Sequence, residues 1–451
     1  MNIIYYFCNK FYCLLKAKKK IFIETYGCQM NVADSEVVAS VLNSDYEVCQ
    51  EIGEADLILI NTCAIRENAE QKVFKRLTEI NALYRKKNKV KLGLIGCMAD
   101  RYKEELIHKN IVDLIAGPDA YRSIPFLLDN ESQQESVNTL LSTIETYDDI
   151  TPIRYDGNAL SAFISIMRGC NNYCAYCVVP YTRGRERSRN PKTIVSEVKL
   201  LIDSGYKEVT LLGQNVNSYL WETDFRFPQL MEQVAKLSPH LRLRFATSHP
   251  KDLSDDLLRV MATYPNICKS IHLPAQSGSN AMLQKMNRKY TREWYVERID
   301  AIRKYIPNAA ISTDIITGFS GETEADHRDT LSLMEQVGYD YAFMFKYSER
   351  SGTFAEKHFK DDVADDVKTR RLEEIIALQR ASSHQSNLAD VGKTFEVLIE
   401  GNSKRSADFY SGRNSQNKVI VFPKTNNIVG DYVQVKVESC TTATLLGKAV
   451  E

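Results

Sequence analysis

The chain has no net charge, no apolar run long enough to cross a bilayer and few cysteines for its length. Each shortage excludes a class of proteins. Lysine plus arginine equals aspartate plus glutamate at 58 each, so a nucleic-acid partner cannot be held by overall charge and needs a local basic surface. No stretch of roughly eighteen apolar residues occurs, so no transmembrane helix and no membrane partner is expected. Eleven cysteines in 451 residues do not make the dense framework of a small secreted domain, and a reducing cytoplasm suits them better. What is present is bulk. With 44% hydrophobic content, 451 residues exceed one core and predict two to four packed domains.

Residues 1–20 stand apart. Met1 to Cys8 are largely apolar, but Lys16, Lys18, Lys19 and Lys20 follow that stretch instead of preceding it, the wrong order for a secretory signal. Asn9 and Lys10 interrupt it further. A disordered or loosely packed extension is expected, with no chemical role for Cys8 or Cys13.

The densest chemistry lies in Cys170-Asn171-Asn172-Tyr173-Cys174-Ala175-Tyr176-Cys177. That spacing offers three thiolates to a cubic iron–sulfur cluster and no fourth. One iron is left open to a chelating ligand such as the amine and carboxylate of S-adenosylmethionine. A zinc knuckle or a disulfide pair is the plainer alternative. Zinc sites, however, pair two Cys-x2-Cys units or add histidines at set spacing, and neither lies nearby.

From Ile21 onward three apolar runs each end on a cysteine: Ile21 to Cys28, Asp56 to Cys63 and Val90 to Cys97. Helical patterns separate them. Strands alternating with helices predict a Rossmann-like parallel sheet through about residue 145, and in such sheets the loops at the carboxyl ends of the strands lie together. Asp34 or Ser35 is expected to cap the helix after Cys28, and Glu67 to lie in the polar start of the helix after Cys63. A lone cysteine after a strand is commonly a small buried hydrophobe. Three in corresponding positions predict a second three-thiolate cluster on Cys28, Cys63 and Cys97. Cys49, Cys268 and Cys440 have no such partners and are read as packing residues. Between residues 131 and 149 the chain turns polar, with Gln133, Gln134, Ser136, Asn138 and Thr139, and is expected only to link.

Six strand–helix units follow, with strands expected near Phe163–Met167, Glu208–Leu212, Leu241–Ala246, Ser270–Leu273, Ile311–Ile316 and Tyr341–Phe345. They predict an incomplete (β/α)6 barrel. Asn190-Pro191 before Thr193–Ser204 and Gly205 after it give one helix a proline start and a glycine stop. Barrels of this kind react at the carboxyl ends of their strands. There lie the Cys170 loop, Gly213-Gln214-Asn215, Pro274 to Gly278 and Thr317 to Glu322. Any one is an ordinary strand-to-helix turn; together they predict a cofactor pocket. Gln214, Asn215, Gln276, Ser277, Asp314 and Gly318 are the candidate S-adenosylmethionine contacts, through close backbone approach and hydrogen bonds. His272 could join them or merely pack. Tyr173, Tyr176 and Tyr181 read either as walls for a base or as shields of the cluster.

Arg183, Arg185, Arg187 and Arg189 alternate with other residues. In an extended segment they would share one face as a phosphate-reading stripe, with Glu186 turned away. The alternative is surface ion pairs or a grip on the cofactor carboxylate. A long helix is expected over Ala364–Leu388. Beyond it Thr394–Glu400, Lys418–Phe422 and Tyr432–Glu438, separated by Gly401, Gly412 and Gly430, predict a small antiparallel barrel. Lys404, Arg405 and Arg413 lie in its loops as candidate RNA contacts, although the tail's charges nearly cancel.

The run from Gly169 to Arg189 resembles the signature of the MiaB family of methylthiotransferases. Thr25-Tyr26-Gly27-Cys28-Gln29-Met30-Asn31, Asn61-Thr62-Cys63-Ala64-Ile65-Arg66-Glu67, His272 to Ser279 and Met286-Asn287-Arg288 are similar to further motifs of that family. The likeness covers essentially everything from residue 21 onward. It implies an amino-terminal cluster domain over 21–145, a radical-SAM domain over 146–387 and a small RNA-binding barrel, TRAM, over 388–451. It implies two [4Fe–4S] clusters and S-adenosylmethionine as cofactors. The implied reaction is removal of hydrogen from carbon 2 of an isopentenylated adenine at tRNA position 37 by a 5′-deoxyadenosyl radical. A methylated sulfur from the cluster on Cys28, Cys63 and Cys97 is then inserted at that carbon. The implied partners are that tRNA, an electron donor and a sulfur or cluster supply, and the implied working form is a monomer. Radical abstraction suits a C–H bond with no acidic proton and leaves the protein to position the reactants. An anticodon-loop base can be splayed out and held on aromatic or arginine surfaces.

Sibling methylthiotransferases act on a threonylcarbamoyl adenosine in tRNA or on a ribosomal-protein aspartate. The wording Gln29-Met30-Asn31 and Ala64-Ile65-Arg66-Glu67 favours the isopentenyl enzyme. A non-catalytic iron–sulfur RNA-binding sensor is a further alternative, but it has no need of a S-adenosylmethionine pocket.

Overall fold

The computed structural model describes residues 17–450 apart from 64–66, 86–89, 130–135, 156 and 158–159, and leaves out the side chains of 67–69. Cys8 and Cys13, Ala64 to Arg66, Gln133 and Gln134 therefore lie outside the described residues. The chain divides into two compact units, one through Gly157 and one from Asn158.

The first unit is a wholly parallel six-stranded sheet, ordered β2-β1-β3-β4-β5-β6. Its strands are β1 (Lys19–Thr25), β2 (Tyr46–Val48), β3 (Leu57–Thr62), β4 (Lys91–Gly96), β5 (Leu114–Ala116) and β6 (Val137–Asn138). β3 is buried along its whole length, as an unbroken apolar run requires of a strand covered on both faces. The chain winds to one side of β1 for β2 and to the other for β3, which makes their carboxyl ends the topological switch point.

Three expectations are corrected here. β1 begins at Lys19, inside the segment expected to be a loose extension, because Ile21 and Ile23 already alternate into the core. The helix after Cys28 runs Gln29–Leu42 with Cys28 itself at its amino-terminal cap, so Asp34 and Ser35 are buried within it. The cap forms early because the Asn31 side chain reaches back to the Cys28 amide at 3.3 Å. Finally, the polar stretch after residue 131 does more than link. β6 pairs with β5, and Tyr147 is buried, stacked on Tyr121 at 5.5 Å with its hydroxyl donating to the Pro118 carbonyl at 3.0 Å.

In the second unit six parallel strands, Ser161–Ser165, Glu208–Leu212, Arg242–Phe245, Ser270–His272, Ala310–Thr317 and Tyr341–Lys346, form two three-stranded ladders. A bridge from Leu243 to Ile267 joins the ladders. One face carries Ile164, Leu211, Leu243, Ile271 and Ile315 into a core shared with the helices. The helix Pro191–Asp203 starts as its punctuation demands. Asn190 accepts from the Lys192 amide at 2.9 Å, and Gly205 leaves it with a left-handed φ of 87°.

The helix Asp365–Leu388 leads to a closed five-stranded barrel of Thr394–Ser403, Ser406–Arg413, Val419–Pro423, Tyr432–Cys440 and Leu445–Ala449. The second and fifth of these strands were not expected. Ser406–Arg413 has a single buried residue and mixed polarity, so it shows no apolar alternation. Closure leaves no edge exposed. The barrel sits on the amino-terminal ends of the six parallel strands. Ser415 Oγ accepts from the Lys269 amide at 2.9 Å, the Asn414 carbonyl from Arg244 at 2.9 Å, and Tyr432 donates to the Lys207 carbonyl at 3.0 Å. No helix among the described residues is long and apolar enough to cross a membrane.

Candidate iron–sulfur and cofactor site

The Cys170 loop is held from three sides before any metal is considered. Gly169 has a φ of 80°, and a Cβ there would lie 2.0 Å from the Arg185 carbonyl oxygen, so only glycine fits. Its amide donates to Gln214 Oε1 at 2.6 Å, and the Cys170 amide to the Gly184 carbonyl at 3.1 Å. Asn171 and Glu186 exchange backbone-to-side-chain bonds at 3.1 and 3.2 Å. On the far side Met286-Asn287-Arg288 forms a clamp. The Met286 carbonyl accepts from the Ala175 amide at 2.9 Å, Asn287 donates to the Tyr173 carbonyl at 2.8 Å, and Arg288 donates to Cys174 Sγ at 3.3 Å.

Burial pushes the Cys177 thiol up to about 12, and Cys174 and Cys170 push it further in the same direction. Burial likewise raises Cys170 to about 11, with Glu186 and Cys174 adding to it. Cys170 and Cys174 thus oppose ionisation of Cys177, and Cys174 that of Cys170, a conflict that a positive metal centre resolves. Among the described residues no three His, Cys, Asp or Glu side chains converge on the position of a single ion, as a zinc knuckle requires. Three thiols in one loop are the donor type that an iron–sulfur cube takes, and in that chemistry the residues fit the group.

The candidate S-adenosylmethionine contacts separate into two kinds. Gln214 is committed to Gly169. Asn215 is fully buried, accepting from the His249 amide at 3.0 Å and donating to Asp252 at 2.7 Å. Ser277 is taken up by Thr330 and the Ser279 amide at 3.2 Å each. Gly318 donates to Glu322 at 2.7 Å, and a Cβ there would lie 2.3 Å from Lys368 Cγ. In these four, polar atoms are engaged in holding the strand-end turns together. Gln276 and Asp314 differ. Gln276 is held at a left-handed φ of 68°, and its Oε1 is buried with no hydrogen-bond partner among the described residues, the kind of strain and orphaned group that collects at functional sites. Asp314 is half-buried, 3.4 Å from His272 Nε2.

The face bearing His272, Ser312 and Asp314 is turned away from the helix-packed core. It continues onto the sixth strand, where Tyr341 pairs with Ser312 and Phe343 with Asp314, both aromatics exposed. The motif reading missed this pair. The signal was there in Tyr341-Ala342-Phe343-Met344-Phe345, whose rings alternate as one face of a strand. Tyr173 and Tyr181 are also exposed, edge to face at 6.2 Å, whereas Tyr176 packs between Phe319 and Arg288.

The arginine stripe is not formed. Arg183 ends a short helix, Val179–Arg183, so the segment is not extended throughout. Arg183, Arg187 and Arg189 are buried, and Arg189 meets Glu197 at 2.5 Å. Glu186 is pinned to the cluster loop, and only Arg185 of the four arginines is exposed. Arg413 is partly engaged within the small barrel. It pairs with Glu400 at 2.7 Å, and its carbonyl accepts from Arg242 at 2.6 Å. Lys404 and Arg405 are exposed in the turn between the first two strands of the small barrel.

In the first unit, β1, β3 and β4 are neighbours, so Cys28, Cys63 and Cys97 leave adjacent strand ends. The spacing is tight. A Cβ on Gly27 would lie 2.8 Å from Cys63 Cβ, one on Gly96 would lie 2.5 Å from the Thr62 carbonyl oxygen, and the Cys97 amide donates to that oxygen at 2.9 Å. Beneath them is a wholly buried amide pair. Asn31 donates to Asn61 Oδ1 at 3.0 Å, and Asn61 donates to the Asn31 carbonyl at 2.8 Å and to Ser35 at 2.9 Å. Cys28 Sγ lies 3.3 Å from Asn31 Oδ1. None of the nine described cysteines is in a disulfide.

Residues 20–117 match an uncharacterized protein family, UPF0004, residues 164–334 the radical SAM superfamily and residues 389–450 the TRAM domain. The tRNA-2-methylthio-N(6)-dimethylallyladenosine synthases of Parabacteroides distasonis and Phocaeicola vulgatus are each 56% identical to the chain, over 439 and 440 residues and 96% of both partners. The chain belongs to this synthase family. The family member from Porphyromonas gingivalis is 54% identical over 444 residues, 97% of this chain and 96% of that one. Two solved structures share the fold alone. The radical S-adenosylmethionine methyltransferase TsrM from Kitasatospora setae, with cobalamin and a [4Fe–4S] cluster bound, has a TM-score of 0.54 at 13% identity and covers 73% of this chain and 75% of its own. The cobalamin-dependent S-adenosylmethionine radical enzyme OxsB has a TM-score of 0.55 at 13% identity, covering 81% and 57%. Radical SAM membership brings iron–sulfur and S-adenosylmethionine chemistry to the synthase family's central domain.

Proposed function

We propose that this chain is a radical-SAM methylthiotransferase that adds a methylthio group to carbon 2 of N6-isopentenyladenosine at tRNA position 37. The observation that carries this reading is a pre-held loop presenting three thiols, Cys170, Cys174 and Cys177, within a chain aligned along nearly its whole length with synthases of that name. Cys170, Cys174 and Cys177 would hold one [4Fe–4S] cluster, and Cys28, Cys63 and Cys97 a second. When bound, these groups supply one-electron cleavage of S-adenosylmethionine and the sulfur to be inserted.

The chain's own residues position. Gln214, Glu186 and the Met286–Arg288 clamp fix the loop in advance, so little reorganisation is left for metal binding. Gln276 Oε1 and the Asp314 carboxylate are acceptors available to the ammonium or ribose hydroxyls of S-adenosylmethionine. Tyr341, Phe343, Tyr173 and Tyr181 offer exposed rings on which a splayed base can lie. Arg185, Lys404 and Arg405 are exposed cations for tRNA phosphates. An electron donor and a sulfur or cluster supply complete the set of partners, and the reading is of a cytoplasmic monomer.

The test is anaerobic reconstitution of the full chain with reductant, S-adenosylmethionine and isopentenylated tRNA, scored by mass spectrometry of the nucleosides. A 2-methylthio product is expected there and not on threonylcarbamoyl tRNA or the ribosomal-protein aspartate. Product on either of those alone would transfer the chain to a sibling activity. No release of 5′-deoxyadenosine under any condition would make it a sensor.

A further inference from the structure

Among the buried arginines of this protein, Arg189, Arg242 and Arg371 are matched to carboxylates, and Arg288 is not. Arg189, Arg242 and Arg371 are 6%, 5% and 4% exposed, and they meet Glu197, Glu396 and Glu322 at 2.5, 3.5 and 2.8 Å. Arg288 is as buried, at 4%. Its Nε donates to the Tyr290 hydroxyl at 2.9 Å, Nη2 to the Pro274 carbonyl at 2.8 Å, and Nη1 to the Tyr176 hydroxyl and Cys174 Sγ, both at 3.3 Å. No carboxylate is among these partners. A guanidinium cannot shed its proton, and a buried charge without a counter-charge costs several kcal/mol. Arg288 therefore holds a fixed buried charge against Cys174 Sγ with no carboxylate beside it.

We propose that Arg288 is a positioning residue for the cluster of the Cys170 loop. Its fixed charge neutralises the Cys174 thiolate and raises the cluster's reduction potential. The inference rests on the reading that Cys170, Cys174 and Cys177 ligate a cluster. Reduction adds one electron from an external one-electron reductant and breaks no bond at the protein. The reduced cluster carries one more negative charge, which a cation held against one of its thiolates in a low-dielectric pocket stabilises. The clamp thus does two jobs. Met286 and Asn287 hold the loop's backbone, and Arg288 sets the charge that the loop must balance.

The experiment uses the full chain carrying Cys28→Ala, Cys63→Ala and Cys97→Ala, so that only the loop cluster is read. Arg288→Lys keeps the charge, while Arg288→Gln and Arg288→Met remove it. Iron and sulfide are counted, and the reduced fraction is followed by electron paramagnetic resonance against dithionite-poised potentials. At the parent's midpoint, the ratio of reduced to oxidised cluster is expected to fall at least tenfold in Arg288→Gln, equivalent to about 59 mV for one electron, and by less in Arg288→Lys. Full clusters at unchanged potential in all three variants would overturn the proposal. So would loss of the cluster in all three, lysine included, since that marks a residue needed for its shape alone. Loss in glutamine and methionine but not in lysine supports it. A parent that takes up no iron overturns the cluster reading, and this inference with it.

Discussion

The two cysteine trios are built in opposite ways. Cys170, Cys174 and Cys177 fall within one loop, so their nearness is written in the chain. Cys28, Cys63 and Cys97 are far apart in sequence and become neighbours because β1, β3 and β4 are adjacent in one parallel sheet. The first trio needs a backbone that holds a tight curve, supplied by Gly169, Gln214 and the Met286–Arg288 clamp. The second needs three strand ends held at one height, supplied by the buried Asn31–Asn61 pair. A local motif costs loop strain and a distributed one costs buried polar structure. The two should therefore fail differently.

The sharpest contrast is functional. Cys174→Ala is expected to abolish 5′-deoxyadenosine release together with thiomethylation, whereas Cys63→Ala should leave reductive cleavage running and abolish only the thiomethyl product. Each should lose about half of the iron if two [4Fe–4S] clusters are present. Equal loss of both products in both variants would erase the distinction.

Next in size are the glycines. In Gly169→Ala the added methyl meets the backbone oxygen of Arg185 at 2.0 Å, and the φ of 80° is itself unfavourable. A left-handed non-glycine residue alone costs about 1–3 kcal/mol, and the clash adds to it. Loss of the loop cluster is expected, seen as iron loss that Gly27→Ala does not reproduce to the same degree. At Gly27 the nearest atoms belong to the side chains of Asn31 and Cys63, which can give way more cheaply.

Removing the amide supports should be milder. Asn61→Leu leaves Asn31 buried without its amide partner and is expected to destabilise the first unit by about 1–3 kcal/mol, measured by thermal or denaturant unfolding. Asn287→Ala frees two loop carbonyls, of Asn172 and Tyr173, and is expected to cost about 0.5–1.5 kcal/mol. A larger loss from Asn287 than from Asn61 would reverse the assignment of buried polar structure to the distributed trio.

The smallest effect should fall on neither trio. Lys404→Ala with Arg405→Ala is expected to leave both clusters intact and to make tRNA binding less salt-dependent, the slope falling by about one unit for each phosphate that the barrel no longer neutralises. A flat salt response in the parent would mean that the exposed cations do not meet phosphates at all.

Legibility followed the range of the interactions. The six parallel strands of the second unit start within two residues of their expected positions, because apolar runs between glycine and proline punctuation are local signals. The arginines failed because alternation implies a shared face only if the segment is extended, and a helical turn ending at Arg183 turned that face inward. Ser406–Arg413 failed because its strand is held by barrel closure, with little apolar patterning to reveal it. Gln276 was found from its strand-end position, but its distinction from Ser277 next to it lay in which polar atoms the fold had already used.

The sequence alone determined that three thiols lie in one loop, that strands alternate with helices and that each strand of the first sheet's trio delivers a cysteine at its end, since spacing and periodicity act along the chain. Only tertiary structure decided that Arg288 faces a thiol where Arg189, Arg242 and Arg371 face carboxylates, that most of the expected cofactor contacts are taken up by the turns they belong to, and that Arg413 serves the seat of the small barrel. Those outcomes depend on which groups the packed chain removes from water together, and a buried charge or amide must be answered by whatever the fold brings beside it.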